Sequence, residues 1–256
     1  MIVDSVSGED EEDNTVSQSV VIVAGLGEVG KPLLSILECT YSCRGIDVEP
    51  VDIEVPCSVL HICYPFQVKD FVGVTGGYVE RYKPELAIIH STVAVGTTAR
   101  VRDRVQVPVV YSPVRGKHAR MGEELLHYQK FIGTDNRQAL EQATQHLSAA
   151  GFRVASFPNA ETAELSKLLE TTWLGILVGW AQDVERMAAE YGASYEEVNR
   201  FVEEISYLPR VFPGHIGGHC VMPNISILRD RFNSKFLDAV VASNEMKEKQ
   251  LLVGKG

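Results

Sequence analysis

Positive charge is scarce in this chain of 256 residues: 24 Lys and Arg stand against 34 Asp and Glu, for a formal net charge of −10. No segment gathers the basic residues into a patch, so nucleic acid is not an expected partner, because phosphate binding draws on clustered Lys and Arg. Long apolar runs are missing too. The longest, residues 173–181, has nine residues, against the ~20 that a membrane span needs. No apolar signal segment opens the chain, and a soluble protein with no membrane partner is expected. The five cysteines, at 39, 43, 57, 63 and 220, are odd in number and lack paired C-x-x-C spacing. Neither a disulfide framework nor a metal site is indicated, and a cytoplasmic location suits the set. No repeat of fixed period is visible. Residues 1–18 hold the acidic run Glu9, Asp10, Glu11, Glu12 and Asp13 and few large apolar side chains, which predicts a disordered leader.

Apolar content of 45% is enough for a proper core. Residues 19–24 form a short β-branched run that meets Gly25-Leu26-Gly27-Glu28-Val29-Gly30, and apolar spacing at Val29, Leu33, Leu34 and Leu37 then follows a helix. Strand, tight turn and helix in this order make a dinucleotide-binding loop. Gly25 permits the turn, Gly27 admits a pyrophosphate, Gly30 allows close packing of helix on strand, and Glu28 and Val29 stand at the mouth. Asp47, twenty residues past Gly27, has the place of a carboxylate that accepts the ribose hydroxyls of NAD and repels the extra phosphate of NADP. Strand-like runs at residues 59–64, 86–90, 107–111, 131–133 and 153–157 alternate with helical ones at 67–81 and 138–149. That alternation predicts an N-terminal Rossmann domain over residues 19–158, an α/β doubly wound parallel sheet.

Beyond residue 158 the pattern is helical, predicting an all-helical domain over 159–256 built on one long central helix. Leu165, Leu168, Leu169, Ile176, Trp180, Val184 and Met187 trace its stripe, yet residues 173–181 are apolar nearly all round. A helix covered on every side needs a partner, so a homodimer is expected. Gly192 ends this helix, Ser194 caps a second, and two more close the chain. In the loop between them lies Gly217-Gly218-His219-Cys220. Taken by themselves, Cys220 reads as a reactive thiol or a small core residue, and Lys167 as a carbonyl-polarising cation or a lysine snorkelling from an apolar stripe. Arg115, Lys117 and His118 form either a solvated loop or a binding site for a substrate carboxylate or phosphate.

Several of these segments, in this order, resemble the UDP-glucose/GDP-mannose 6-dehydrogenase family, on the side of its UDP-N-acetylmannosamine branch. The opening loop with Lys31-Pro32-Leu33, His61-Ile62-Cys63-Tyr64-Pro65, Ser91-Thr92-Val93 with Gly96-Thr97-Thr98, and Glu164-Leu165-x-Lys167-Leu168-Leu169-Glu170 carry the likeness. So do Pro209-Arg210-Val211 and Gly217 to Cys220. The resemblance spans residues 19–247 and implies an NAD-dependent oxidoreductase acting on an alcohol of a sugar nucleotide or a smaller sugar-like molecule. It implies that Tyr64, Pro65, Ser91 and Thr92 border the cofactor, that Arg210 and His219 meet the substrate, and that Lys167 polarises the reacting oxygen. Cys220 would attack the aldehyde, giving a thiohemiacetal and then a thioester.

Thr171 stands where the family has asparagine, Asn224 where it has aspartate, and Val114 where it has the glutamate that activates water. Slow thioester hydrolysis is therefore expected. Family members continue into a third domain that grips the nucleotide, which this sequence does not contain. A smaller substrate, a separate chain supplying the missing domain, or loss of nucleotide-sugar oxidation would each account for that. Two further readings follow: a two-electron hydroxy-acid dehydrogenase that uses Lys167 without Cys220, and a non-catalytic NAD-binding or partner-binding protein.

Overall fold

The computed structural model describes residues 19–47 and 51–253. The acidic leader and Val48 lie outside the described residues. The first strand, β1 (Val20–Ala24), is buried along its whole length, as its unbroken Val-Val-Ile-Val-Ala sequence requires of a strand covered on both faces. Six more strands join it: β2 (Cys43–Ile46), β3 (Cys57–Ile62), β4 (Leu86–Ile89), β5 (Val109–Tyr111), β6 (Lys130–Gly133) and β7 (Val154–Phe157). Their order in the sheet is β2-β1-β3-β4-β5-β6-β7. Val23 pairs with Gly45 on one side and His61 on the other, which brings the ends of β1, β2 and β3 to one edge.

Alternation along the strands separates two cores. Ile22, Leu60 and Ile89 face α2 (Phe71–Tyr82), α3 (Thr97–Arg104) and the start of α6, while Val21, Val23 and Ile88 face α1 (Gly30–Leu37), α4 (Met121–His127) and α5 (Arg137–Ala149). The sheet is mostly, not wholly, parallel: β6 pairs antiparallel with β5, and β7 runs parallel to β6. The reason is the connection. From β5 the chain passes through α4, which packs beside α1, and enters β6 from the same edge that β5 leaves. Both α3 and α4 escaped the sequence pattern, being short and rich in polar residues.

The central helix α6 (Ala160–Glu190) has 31 residues, about 46 Å at 1.5 Å per residue. Asn159 caps it, its side chain accepting from the Thr162 N–H. Its first turn rests on β6, where a Cβ at Gly133 would stand 2.6 Å from that of Ala163. Farther along, α8 (Val221–Arg229) and α9 (Lys235–Val253) pack against it, and α7 (Tyr195–Glu203) follows its C-terminus behind a Ser194/Glu197 capping box.

The stripe of large apolar residues expected to face inward is divided. Leu168, Thr172, Gly175, Gly179 and Gln182 make the buried side, whereas Leu165, Leu169, Trp180 and Met187 are exposed, Trp180 at 63%. Small residues are inside because the neighbours come so close. A Cβ at Gly175 would lie 2.7 Å from Val221 Cγ1 and 3.0 Å from Ile225 Cδ1. Among the described residues no helix is long and apolar enough to cross a membrane.

Candidate active site

One cavity of about 1190 Å³ opens between the C-terminal edge of the sheet and the α6/α8 pair, the place where open α/β sheets bind their ligands. Its sheet side is built largely from main chain. Gly25 has φ of +93°, and a Cβ there would lie 2.5 Å from the Tyr64 N. Gly30 sits behind the loop against Gly25, where a Cβ would come 1.7 Å from the Gly25 O. Gly27 has nothing within 4 Å of its would-be Cβ. The turn is thus closed by two glycines and left open to a ligand by the third, as a pyrophosphate at the start of α1 needs.

Leu26, Glu28 and Val29 complete the loop's wall. Asp47, on the rim, accepts a hydrogen bond from the Leu26 N–H at 3.3 Å through one oxygen, and carboxylate capacity is left for a ribose. Opposite, Ser91 Oγ donates to the Tyr64 O at 2.5 Å, fixing the β3 and β4 loops that bring Tyr64, Pro65, Ser91 and Thr92 to the cavity. These residues fit a dinucleotide. Every expected cofactor residue except the supporting Gly30 lines the space.

The helical side is made of side chains. Lys167, Glu170 and Thr171 come from α6, and His219, Cys220 and Asn224 from the start of α8. Lys167 is 10% exposed and pairs with Glu170 Oε2 at 2.8 Å. Asn224 Nδ2 donates to Thr171 Oγ1 at 2.7 Å, and the Thr171 hydroxyl reaches the Leu168 O at 3.1 Å. Cys220 precedes α8 as its N-cap residue. Burial raises its thiol above the ordinary range, the Lys167 ammonium opposes that, and Glu28 and Glu170 add to it. The resting thiol is held protonated, so its acidity is tied to the charge on Lys167.

Arg115 also lines the cavity, its guanidinium 5.2 Å from the Tyr128 ring centre, with Val114 beside it. The His118 side chain lies outside the described residues. Arg210 is not brought to the cavity: it is exposed on the loop after α7, and that loop reaches the cavity wall only at His219 and Cys220. Among the described residues no group of three His, Cys, Asp or Glu is placed to hold a metal ion.

Sequence reasoning gave Glu170 no role beyond its place in the motif, although its spacing of three from Lys167 is that of a helix ion pair. It missed His90, which borders the cavity. Glu164 was also missed as a structural residue. Buried on α6, it accepts from the Gly96 N–H at 2.6 Å, the Thr98 N–H at 2.8 Å and the Thr98 hydroxyl at 2.6 Å. It thereby ties the α3 N-terminus to the helical half.

Comparison with known proteins finds likeness in sequence and in fold. Residues 161–246 match the model of the UDP-glucose/GDP-mannose dehydrogenase family, central domain. A UDP-N-acetyl-D-mannosamine dehydrogenase of Pyrococcus horikoshii is 29% identical over 150 residues, 53% of this chain and 35% of the relative. Its namesake from Methanocaldococcus jannaschii is 26% identical over 153 residues, 56% of this chain and 36% of the relative. The matched stretch is thus about a third of the length of these curated relatives. In fold, the solved UDP-D-ManNAc dehydrogenase of Pyrococcus horikoshii superposes with a TM-score of 0.77 at 20% identity, covering 90% of this chain and 68% of that one. The 3-hydroxyisobutyrate dehydrogenase of Mycobacterium tuberculosis superposes with a TM-score of 0.68 at 14% identity, covering 91% and 93%. The stretch that matches the family model, residues 161–246, carries Lys167, Thr171, Cys220 and Asn224.

Proposed function

We propose that this chain is an NAD-dependent dehydrogenase that oxidises an alcohol of a sugar nucleotide or a smaller sugar-like substrate. The observation that carries this reading is a single cavity in which the Gly25–Gly27 turn and Asp47 face Lys167 and Cys220. Bound NAD supplies the hydride acceptor. The protein's part is to hold it and to manage charge: Asp47 accepts ribose hydroxyls, and Lys167 faces the reacting oxygen with a cation as alkoxide charge develops. Cys220 adds to an aldehyde carbon through sulfur. As the C–S bond forms, the C=O π bond opens onto oxygen and the thiol proton passes to that oxygen, giving the thiohemiacetal, since burial disfavours a standing thiolate. The Thr171–Asn224 pair holds the α6 and α8 walls in register beside it, and Arg115 and His219 contact the substrate.

That same protonated thiol favours one second reading, a two-electron oxidation in which Lys167 acts and Cys220 does not. NADH formed per substrate molecule separates them: two, falling to one in Cys220→Ser, supports thiol chemistry, and one in both supports the second reading. Calorimetric titration tests the cofactor assignment. NAD should bind at least about tenfold tighter than NADP, and Asp47→Ala should narrow the gap. NAD binding with no NADH from any sugar or hydroxy acid would leave a non-catalytic binding protein. The exposed face of Leu165, Leu169, Trp173, Trp180 and Met187 on α6 is the surface on which we place a homodimer contact, and light scattering of Trp173→Glu should show monomers.

A further inference from the structure

Beneath the cavity floor, four ionisable side chains stand in a row. Lys130 Nζ lies 2.6 Å from the Ser112 O, 2.9 Å from the Pro113 O and 3.0 Å from His90 Nδ1. His90 Nε2 is 2.8 Å from His61 Nδ1, and His61 Nε2 is 3.0 Å from His146 Nε2. His90 borders the cavity. His61 and His90 are wholly buried and Lys130 nearly so, whereas His146, in the last turn of α5, keeps 8% of its surface exposed. Tyr41 stacks on the His146 ring at 4.5 Å.

Donor counting leaves this row two neutral-imidazole arrangements. An ammonium at Lys130 has three donors and no acceptor, and it has three partners, so His90 Nδ1 must accept. His90 then donates from Nε2 to His61 Nδ1, His61 donates from Nε2 to His146 Nε2, and the His146 proton sits on Nδ1. With a neutral amine at Lys130, His90 Nδ1–H can donate to the Ser112 O, 2.7 Å away. Every tautomer along the row is then the opposite one. The two arrangements differ by one proton. Passing from the first to the second, Lys130 gives a proton to His90 Nδ1, His90 Nε2 to His61 Nδ1, His61 Nε2 to His146 Nε2, and His146 Nδ1 to water. Each nitrogen that gains an N–H bond takes it from the neighbour that loses one.

We propose that Lys130, His90, His61 and His146 form a proton relay that exchanges one proton between the floor of the cavity and solvent beside α5. Burial lowers Lys130 to about 7, with Lys167 lowering it and Cys63 opposing, so both states of the row are populated near neutrality. His61 and His90 are held well below the usual imidazole range by burial and by their cationic neighbours, and His146 falls to about 4. The protons therefore move by tautomer exchange and not by a standing imidazolium. Among the described residues, the titratable groups acting on the row are its own members, Cys63 and Lys167, with Tyr41 stacked on its His146 end. As a role in turnover, export of the proton set free by alcohol oxidation rests on the dehydrogenase reading above.

The test is nitrogen-15 NMR of the intact, histidine-labelled chain without substrate. Between about pH 6 and pH 8 the three histidines should exchange tautomers together with one midpoint, and separate midpoints or fixed tautomers would overturn the relay. Lys130→Met should hold the amine-type set at every pH, and Lys130→Arg the ammonium-type set. A Lys130→Met protein that leaves His61 unchanged also overturns it, and if that variant fails to fold, the wild-type titration decides alone. None of these readouts needs NADH formation, so a failed dehydrogenase reading and a failed relay are told apart.

Discussion

Among the buried polar networks of the described residues, one in the sheet half and one in the helical half are made of different chemistry. Under the sheet, His61, His90, His146 and Lys130 are joined nitrogen to nitrogen and to two carbonyls. Under α9, Asn244 takes the Ile216 N–H at 2.7 Å and gives to the Ile216 O at 3.1 Å, Gln182 gives to the Gly214 O at 2.7 Å, and Ser243 sits 3.0 Å from Gln182 Oε1. Its amides and hydroxyls have no proton to trade near neutral pH, and it meets charged side chains at Ser243, which contacts Asp183 Oδ1 and Arg186 Nη2. The second network therefore fixes geometry, clamping residues 214–216 so that the segment leading to Cys220 meets α6. The first network can change state while keeping its shape. The first network is wired for protons and the second for position.

The largest effect that separates the two is acid sensitivity. The unfolded chain protonates its histidines as the pH falls through about 6.5, while the folded protein keeps His61, His90 and His146 neutral to much lower pH. The unfolded state then binds more protons, so stability is lost on acidification, by about 5 kcal/mol between pH 6.5 and 5 for three such groups. Lys130, at about 7 in the fold, adds a gain of the same sign as the pH rises from about 7 toward 10.5. Urea midpoints at pH 5, 6.5 and 8 measure this. An unchanged midpoint between 6.5 and 5 would mean that the histidines take up protons inside the fold, and the contrast between the two networks would disappear.

Much of the sheet half was legible because backbone needs show as residue types. Gly25, Gly27, Gly30 and Asp47 have spacings that follow from a turn, a phosphate and a ribose, and they line or support the cavity. The antiparallel β6 was not legible, since Lys130 to Gly133 has the same apolar look in either direction. Nor was the histidine row. His61 lies inside one apolar run and His90 at the end of the next, a visible sign of buried polarity, but only the pairing of β3 with β4 brings them together, and His146 arrives from α5. On the helical side, Lys167 and Cys220 were singled out by resemblance more than by pattern. There the apolar periodicity misled, because Gly175 and Gly179 mark the close-packed side of α6 and Trp180 the outer one.

A middle-sized effect probes the positional network. Asn244→Ala leaves the Ile216 N–H and O without their buried partner, and unsatisfied buried groups of this kind cost about 3 kcal/mol together. The loss should be equal at pH 6 and pH 8, measured by urea titration. It should also loosen residues 214–216, read as faster alkylation of Cys220 by iodoacetamide. A loss confined to one pH would show that the helical network senses protonation after all.

The smallest effect tests whether the division between the networks holds at the cavity itself. Thr171→Val keeps the β-branched shape but removes the acceptor that Asn224 Nδ2 uses at 2.7 Å, and Asn224 is only 4% exposed. Both residues line the cavity, where water can replace part of the lost bond, so about 1 kcal/mol is expected, not the full cost of a sealed orphan. Neither side chain titrates near neutrality, so the same loss should appear at pH 6 and pH 8. Lys167 is one helix turn from Thr171, and Cys220 precedes the helix that carries Asn224. If the loss differs by more than about 1 kcal/mol between the two pH values, the pair senses the charge on Lys167 or Cys220. The positional half would then share in the proton chemistry that the sheet half now holds alone.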